Sequence, residues 1–116
     1  MIIGMNSMTR IGFCMGLGAL LLAGTLTAAA QEMSITIKDH KFEPAELKVP
    51  AKKRITLTVI NNDATPEEFE SKKLKVEKVI PGKSKAVVRF GPLEPGRYEF
   101  VGEFHEDTAK GVVIAE

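Results

Sequence analysis

Beyond residue 32 the chain is built from short alternating runs. Met33, Ile35 and Ile37 are separated by Ser34 and Thr36, the two-residue period of a strand with one buried face, over 33–38. Residues 39–44, closed by Pro44, read as a loop, because proline cannot donate to a ladder. A short strand follows over 46–49 and is stopped by Pro50. The clearest strand is 54–60, where Ile55, Leu57 and Val59 face one way and Thr56 and Thr58 the other. Residues 61–66 have loop composition. Glu67-Glu68-Phe69-Glu70 comes next, and 64–75 carries a weak helical alternative. Residues 74–80 alternate imperfectly up to the Pro81-Gly82 turn. Residues 84–90 bury Ala86, Val88 and Phe90, and 97–101 and 112–115 complete the set.

This pattern predicts an all-β domain of seven or eight short strands, an antiparallel Greek-key β-sandwich. Phe42, Phe69, Phe90, Phe100 and Phe104 are its expected aromatic core, with Met33 beside them. The first thirty residues follow a different rule. Arg10 precedes an apolar run over 11–26 and then a small-residue Ala28-Ala29-Ala30 site, the order of a secretory signal peptide. The expected organisation is a signal peptide over 1–30 and one domain over 31–116, exported to the periplasm. The apolar run is shorter than the roughly 20 residues of a spanning helix, so no membrane span is expected in the mature form.

Composition narrows the chemistry. The one cysteine, Cys14, lies in the apolar run, so Gln31–Glu116 supplies neither a disulfide nor a thiolate. Removing the leader takes away Arg10 and no acid, leaving a net charge of zero and no basic surface for nucleic acid. No Gly-rich phosphate loop or nucleophile–base motif occurs. What stands out is Gly102-Glu103-Phe104-His105-Glu106-Asp107, with one imidazole and three carboxylates between two apolar runs. Carboxylate oxygens with imidazole nitrogen suit Fe(II), Mn(II), Zn(II) or Cu(II), and not Cu(I), which prefers sulfur. The competing reading is a solvated edge, with Glu67, Glu68 and Glu70 paired to Lys72, Lys73 and Lys75.

Three stretches carry a family resemblance. They are Phe42-Glu43-Pro44, Asn61-Asn62 followed by Pro66-Glu67, and Tyr98-Glu99-Phe100 leading through Gly102 to His105 and Gly111-Val112. Together they resemble the cupredoxin-like fold. In that resemblance Glu67 stands where the first copper histidine is expected, Gly102 at the cysteine and His105 at the second histidine. The methionine position falls on Thr108 or Ala109. Type 1 (blue) copper needs a thiolate with two imidazoles, so it is not expected here. The motifs at 66–71 and 102–109 are similar to those of EfeO-type cupredoxin-like proteins, found with bacterial iron permease systems. Lys52 departs from the glycine usual in the turn after Pro50.

The resemblance implies a periplasmic metal-binding protein serving iron or copper uptake, with Fe(II) or Cu(II) as its metal. A membrane iron permease or periplasmic protein is its expected partner. The expected ligands are Glu67 and His105, then Glu103 and Asp107, with His40 brought to the same pole. The alternatives are a ferroxidase acting on Fe(II) and a metal-free docking module for a permease complex. Catalysis ranks below binding, because oxidising Fe(II) requires an electron acceptor.

Overall fold

The computed structural model describes residues 30–116, and its regular elements are strands apart from one 3₁₀ turn. The expected signal peptide, with Cys14, lies outside the described residues. The strands are β1 (Gln31–Lys38), β2 (Lys41–Glu43), β3 (Glu46–Val49), β4 (Ile55–Asn61) and β5 (Glu67–Ser71). They continue with β6 (Val76–Ile80), β7 (Ser84–Phe90), β8 (Gly96–Gly102) and β9 (Lys110–Ala115). The 3₁₀ turn, Glu103–His105, follows β8 directly.

Two sheets pack face to face. One has the order β2-β1-β4-β7 and the other β3-β9-β8-β5-β6. Period-two burial explains the packing: in β4 Ile55, Leu57 and Val59 are buried, while Thr56, Thr58 and Ile60 are only partly so. Phe42, Phe69 and Phe100 interlock across the interior. Phe69 stacks on Phe100 at 4.8 Å between ring centroids, and Phe42 meets Phe100 edge-on at 4.9 Å.

The all-β sandwich is as expected, with four corrections. Each sheet is mixed rather than antiparallel, since β1 pairs with β4 and β3 with β9 in parallel. Among the described residues there are nine strands, because the loop ahead of Pro44 contains β2, paired to β1 through Ile37 and Phe42. The helical alternative over 64–75 gives way to β5 and a tight turn, which buries Phe69 and leaves Leu74 as a buried plug. Phe104 is 49% exposed rather than core. The alternation ends at Gly102, and the 3₁₀ turn then swings successive side chains by roughly 120°, so Phe104 no longer shares the face of Phe100.

Candidate metal centre

One end of the sandwich gathers the 62–66 loop, the start of β5 and the 102–109 loop. Local hydrogen bonds set each in place. Asn61, buried at the end of β4, donates from Nδ2 to Thr65 O at 2.9 Å and to Ile80 O at 3.1 Å, and accepts from Asp63 N at 3.0 Å. The loop also packs on Gly82, where a Cβ would lie 2.0 Å from Ala64 O. Asp63 reaches across the pole. Its carboxylate accepts from Asp39 N at 2.8 Å and His40 N at 2.9 Å, holding both residues at left-handed φ of 54° and 59°. Those bonds, above all the one from His40, keep the Asp63 carboxyl below its usual range. Thr108 Oγ1 donates to His40 O at 2.6 Å, and Gly102 N to Ala109 O at 2.8 Å closes the second loop.

Glu67 lies at the centre with 1% of its surface exposed. Its Oε1 accepts from Phe104 N at 2.8 Å and from Glu68 N at 3.0 Å, and its Oε2 meets His105 Nδ1 at 2.7 Å. Three donors surround one buried carboxylate, the condition under which such a charge is tolerated. With Nδ1 facing Glu67, the free ring nitrogen of His105 is Nε2. His40 stacks flat on the His105 ring, centroids 3.6 Å apart at 14°. In-plane lone pairs of parallel rings run side by side, so this arrangement does not aim both imidazoles at one ion. His40 Nε2 lies 3.5 Å from Thr65 Oγ1.

The other expected ligands sit elsewhere on the pole. Asp107 is exposed, and its side chain makes no hydrogen bond among the described residues. Glu103 turns to the outer face of the five-stranded sheet, where it meets Glu68 and Glu77 with one carboxylate oxygen from each within 4.8 Å of the others. Glu70 stands directly across from Glu77 in the β5–β6 ladder. Carboxyls this close favour holding a proton: Glu68 is pushed up to about 7, chiefly by Glu77, then by desolvation and by Glu103. Glu70 is raised as well, by desolvation and then by the charge of Glu103. A groove of about 380 Å³ runs beside the cluster, between Glu70, Glu99, Glu103 and Glu106 with Lys72 and Lys73 on its rim.

Sequence reasoning named Glu67, His105, His40 and Glu103 as candidate residues of this pole. It missed Glu77, whose position opposite Glu70 depends on register, and it read Asn61 and Asp63 only as loop composition. An Asn and an Asp two apart at a strand end are a turn-capping signal that could have found both.

Comparison with known proteins comes to the same fold. A family model described as cupredoxin-like domain matches residues 12–115. An uncharacterized protein of Rickettsia prowazekii (strain Madrid E) is 47% identical over 83 residues, which cover 72% of this chain and 66% of that protein's length. Among solved structures, the chain is similar to auracyanin A, a "blue" copper protein of Chloroflexus aurantiacus. The TM-score is 0.64 at 15% identity, over 76% of this chain and all of that one. It is also similar to the Cu(I)-bound metal-binding domain of a Cu(I)-exporting P-type ATPase of Streptococcus pneumoniae. There the TM-score is 0.59 at 20% identity, over 73% and 84% of the two chains.

Proposed function

The chain belongs to the cupredoxin-like domain family, and from that premise we propose that it is an exported protein that binds a divalent metal ion through carboxylates, in the service of iron uptake at the cell envelope. The ion is not a type 1 copper. Gly102 offers no thiolate, Glu67 no imidazole, and a Cβ on Gly102 would lie 2.7 Å from Glu67 Cδ and 2.8 Å from Oε2. The residues present do not fit that group.

The observation that carries the reading is the convergence of Glu68, Glu77 and Glu103 within 4.8 Å. Glu68 is next to Glu67 in β5, and Glu103 is two residues before His105, so this cluster flanks the pole that the sequence singles out. An all-oxygen set favours hard or borderline cations such as Fe(II) and Mn(II) over Cu(I). Binding would neutralise carboxylates that otherwise repel. EfeO-type association with an iron permease is the uptake context most consistent with the motifs at 66–71 and 102–109. Anaerobic calorimetry of Gln31–Glu116 with Fe(II), Mn(II) and Cu(II), beside Glu77→Gln and Glu103→Gln, tests the site. Saturable Fe(II) or Mn(II) binding that both variants weaken at least tenfold is expected. Equal binding by wild type and variants would remove the ion from this cluster.

A second reading, a metal-free docking module, has its own support in Phe104, 49% exposed beside the pole. Absence of binding by every ion would favour it. Fractionation of cells that make the full chain tests export, with Gln31 expected as the N-terminus of the periplasmic form.

A further inference from the structure

The pole holds a feature that metal binding at the outer carboxylates does not require. Glu67 is a buried carboxylate that joins two segments far apart in the chain. Its bonds to Phe104 N and His105 Nδ1 span sequence separations of 37 and 38 residues. A glutamate that merely capped its own strand would need only the bond from Glu68 N. The space is committed as well. Position 102 is where the cupredoxin-like resemblance places a thiolate, and any side chain there would collide with the Glu67 carboxyl. It would also collide with Ala109, whose Cβ is 2.7 Å from the Cβ that Gly102 lacks. Ala109 itself is fully buried.

We infer that the Glu67–His105 pair is a built-in replacement for a metal in this fold, a carboxylate–imidazole latch that ties β5 to the 102–109 loop. Three requirements of such a device are met here. The bridging group is a fully desolvated carboxyl held by two backbone N–H groups and an imidazole nitrogen, so its bonds are strong and directional. The imidazole presents Nδ1 to it, with the ring backed by His40 at 3.6 Å. The facing position is glycine, which leaves the carboxyl its room. The latch makes the closed pole independent of any ion. A cation taken up by the protein therefore binds outside the latch and is not needed to hold the loop.

The inference is tested by following thermal unfolding of chelator-treated and Mn(II)-loaded Gln31–Glu116. Wild type is compared with Glu67→Gln, His105→Gln and Glu77→Gln, with amide hydrogen exchange read at Phe104. Losing a buried carboxylate whose imidazole partner is partly exposed corresponds to a Tm loss of more than about 5 °C in a domain of this size. The latch predicts that loss for Glu67→Gln without metal, together with lost protection of the Phe104 amide. It predicts a smaller loss for His105→Gln, which is partly exposed and keeps a donor. Chelator leaves wild-type Tm unchanged. If Glu67→Gln does not fold, exchange at Phe104 in His105→Gln carries the test. A metal-induced Tm rise that is lost in Glu67→Gln but kept in Glu77→Gln would overturn the latch, for the ion would then sit between Glu67 and His105. Wild-type Tm that falls on chelation would overturn it too. Failure of metal binding alone reads in the Glu77→Gln arm and touches only the proposed function.

Discussion

Glu67 and Glu68 are neighbours on one strand and live in opposite worlds. Glu67 points inward, is buried, and meets three donors. Glu68 points outward and meets two further carboxyls, Glu77 and Glu103. The backbone between them does no more than alternate faces. The inner carboxyl faces groups that donate to it, and the outer one faces carboxyls that disfavour its charge. Burial and exposure do not decide which is favourable. The neighbours do: donors inside, acceptors outside.

Three substitutions would break or sharpen that contrast, and a fourth serves as a reference. Glu67→Ala has the largest expected effect. It strands the Phe104 amide and His105 Nδ1 and opens a cavity, for a loss of about 3–5 kcal/mol in denaturant unfolding. A loss under about 1 kcal/mol would mean that the inner carboxylate is a passenger. Gly102→Ala comes next, at about 1–3 kcal/mol, because its new methyl meets Glu67 and Ala109 at 2.7 Å and must displace one of them. If Gly102→Ala is destabilising in wild type and harmless beside Glu67→Ala, the two positions compete for one space. Additive losses would show that they do not.

The outer cluster predicts the opposite sign. Glu77→Gln relieves Glu68 and Glu70 and raises Tm by a few degrees in metal-free protein at neutral pH. The pH dependence follows from the direction of the shift. Glu68 is raised from 4.5 to about 7, so the folded state binds its proton more tightly than the unfolded state does. Its protonation favours folding fully below about 4.5, and that advantage is lost as pH rises to about 7. Wild-type Tm is therefore expected to decline across that window, more shallowly in Glu77→Gln and in the presence of Mn(II). A window identical in wild type and Glu77→Gln would place the cause elsewhere. The smallest change is a reference point outside both regions. Lys52 sits at a left-handed φ of 63°, and Lys52→Gly should stabilise by up to about 1 kcal/mol in urea unfolding, since the relief of strain slightly exceeds the added freedom of the unfolded chain.

Much of the fold was legible before any coordinates. Ile55, Leu57 and Val59 declared β4, and Val88 and Phe90 declared β7, because a half-buried strand writes its period into the chain. The turn at Lys52 was marked through the family resemblance as a missing glycine, and its left-handed φ came only with the structure. Phe104 was not, because alternation carried one turn too far reads a 3₁₀ residue as a strand residue. Of the candidate site, residue types and loops were readable: His105, Glu67, Glu103 and His40 could all be assigned to one pole. Their roles could not be read.

The sequence by itself determined the all-β class, the buried faces, the lack of a thiolate in Gln31–Glu116 and the concentration of carboxylates around His105. These follow from local rules, residue type and spacing along one strand. Only the tertiary structure decided that β1 and β3 find parallel partners, and that Glu77 lies opposite Glu70. It alone decided that Glu67 faces donors 37 and 38 residues away while Glu68 faces acids. Register between strands and closure of distant loops set those neighbours. The charge that a carboxylate can carry depends on them, and they are written in no single stretch of the chain.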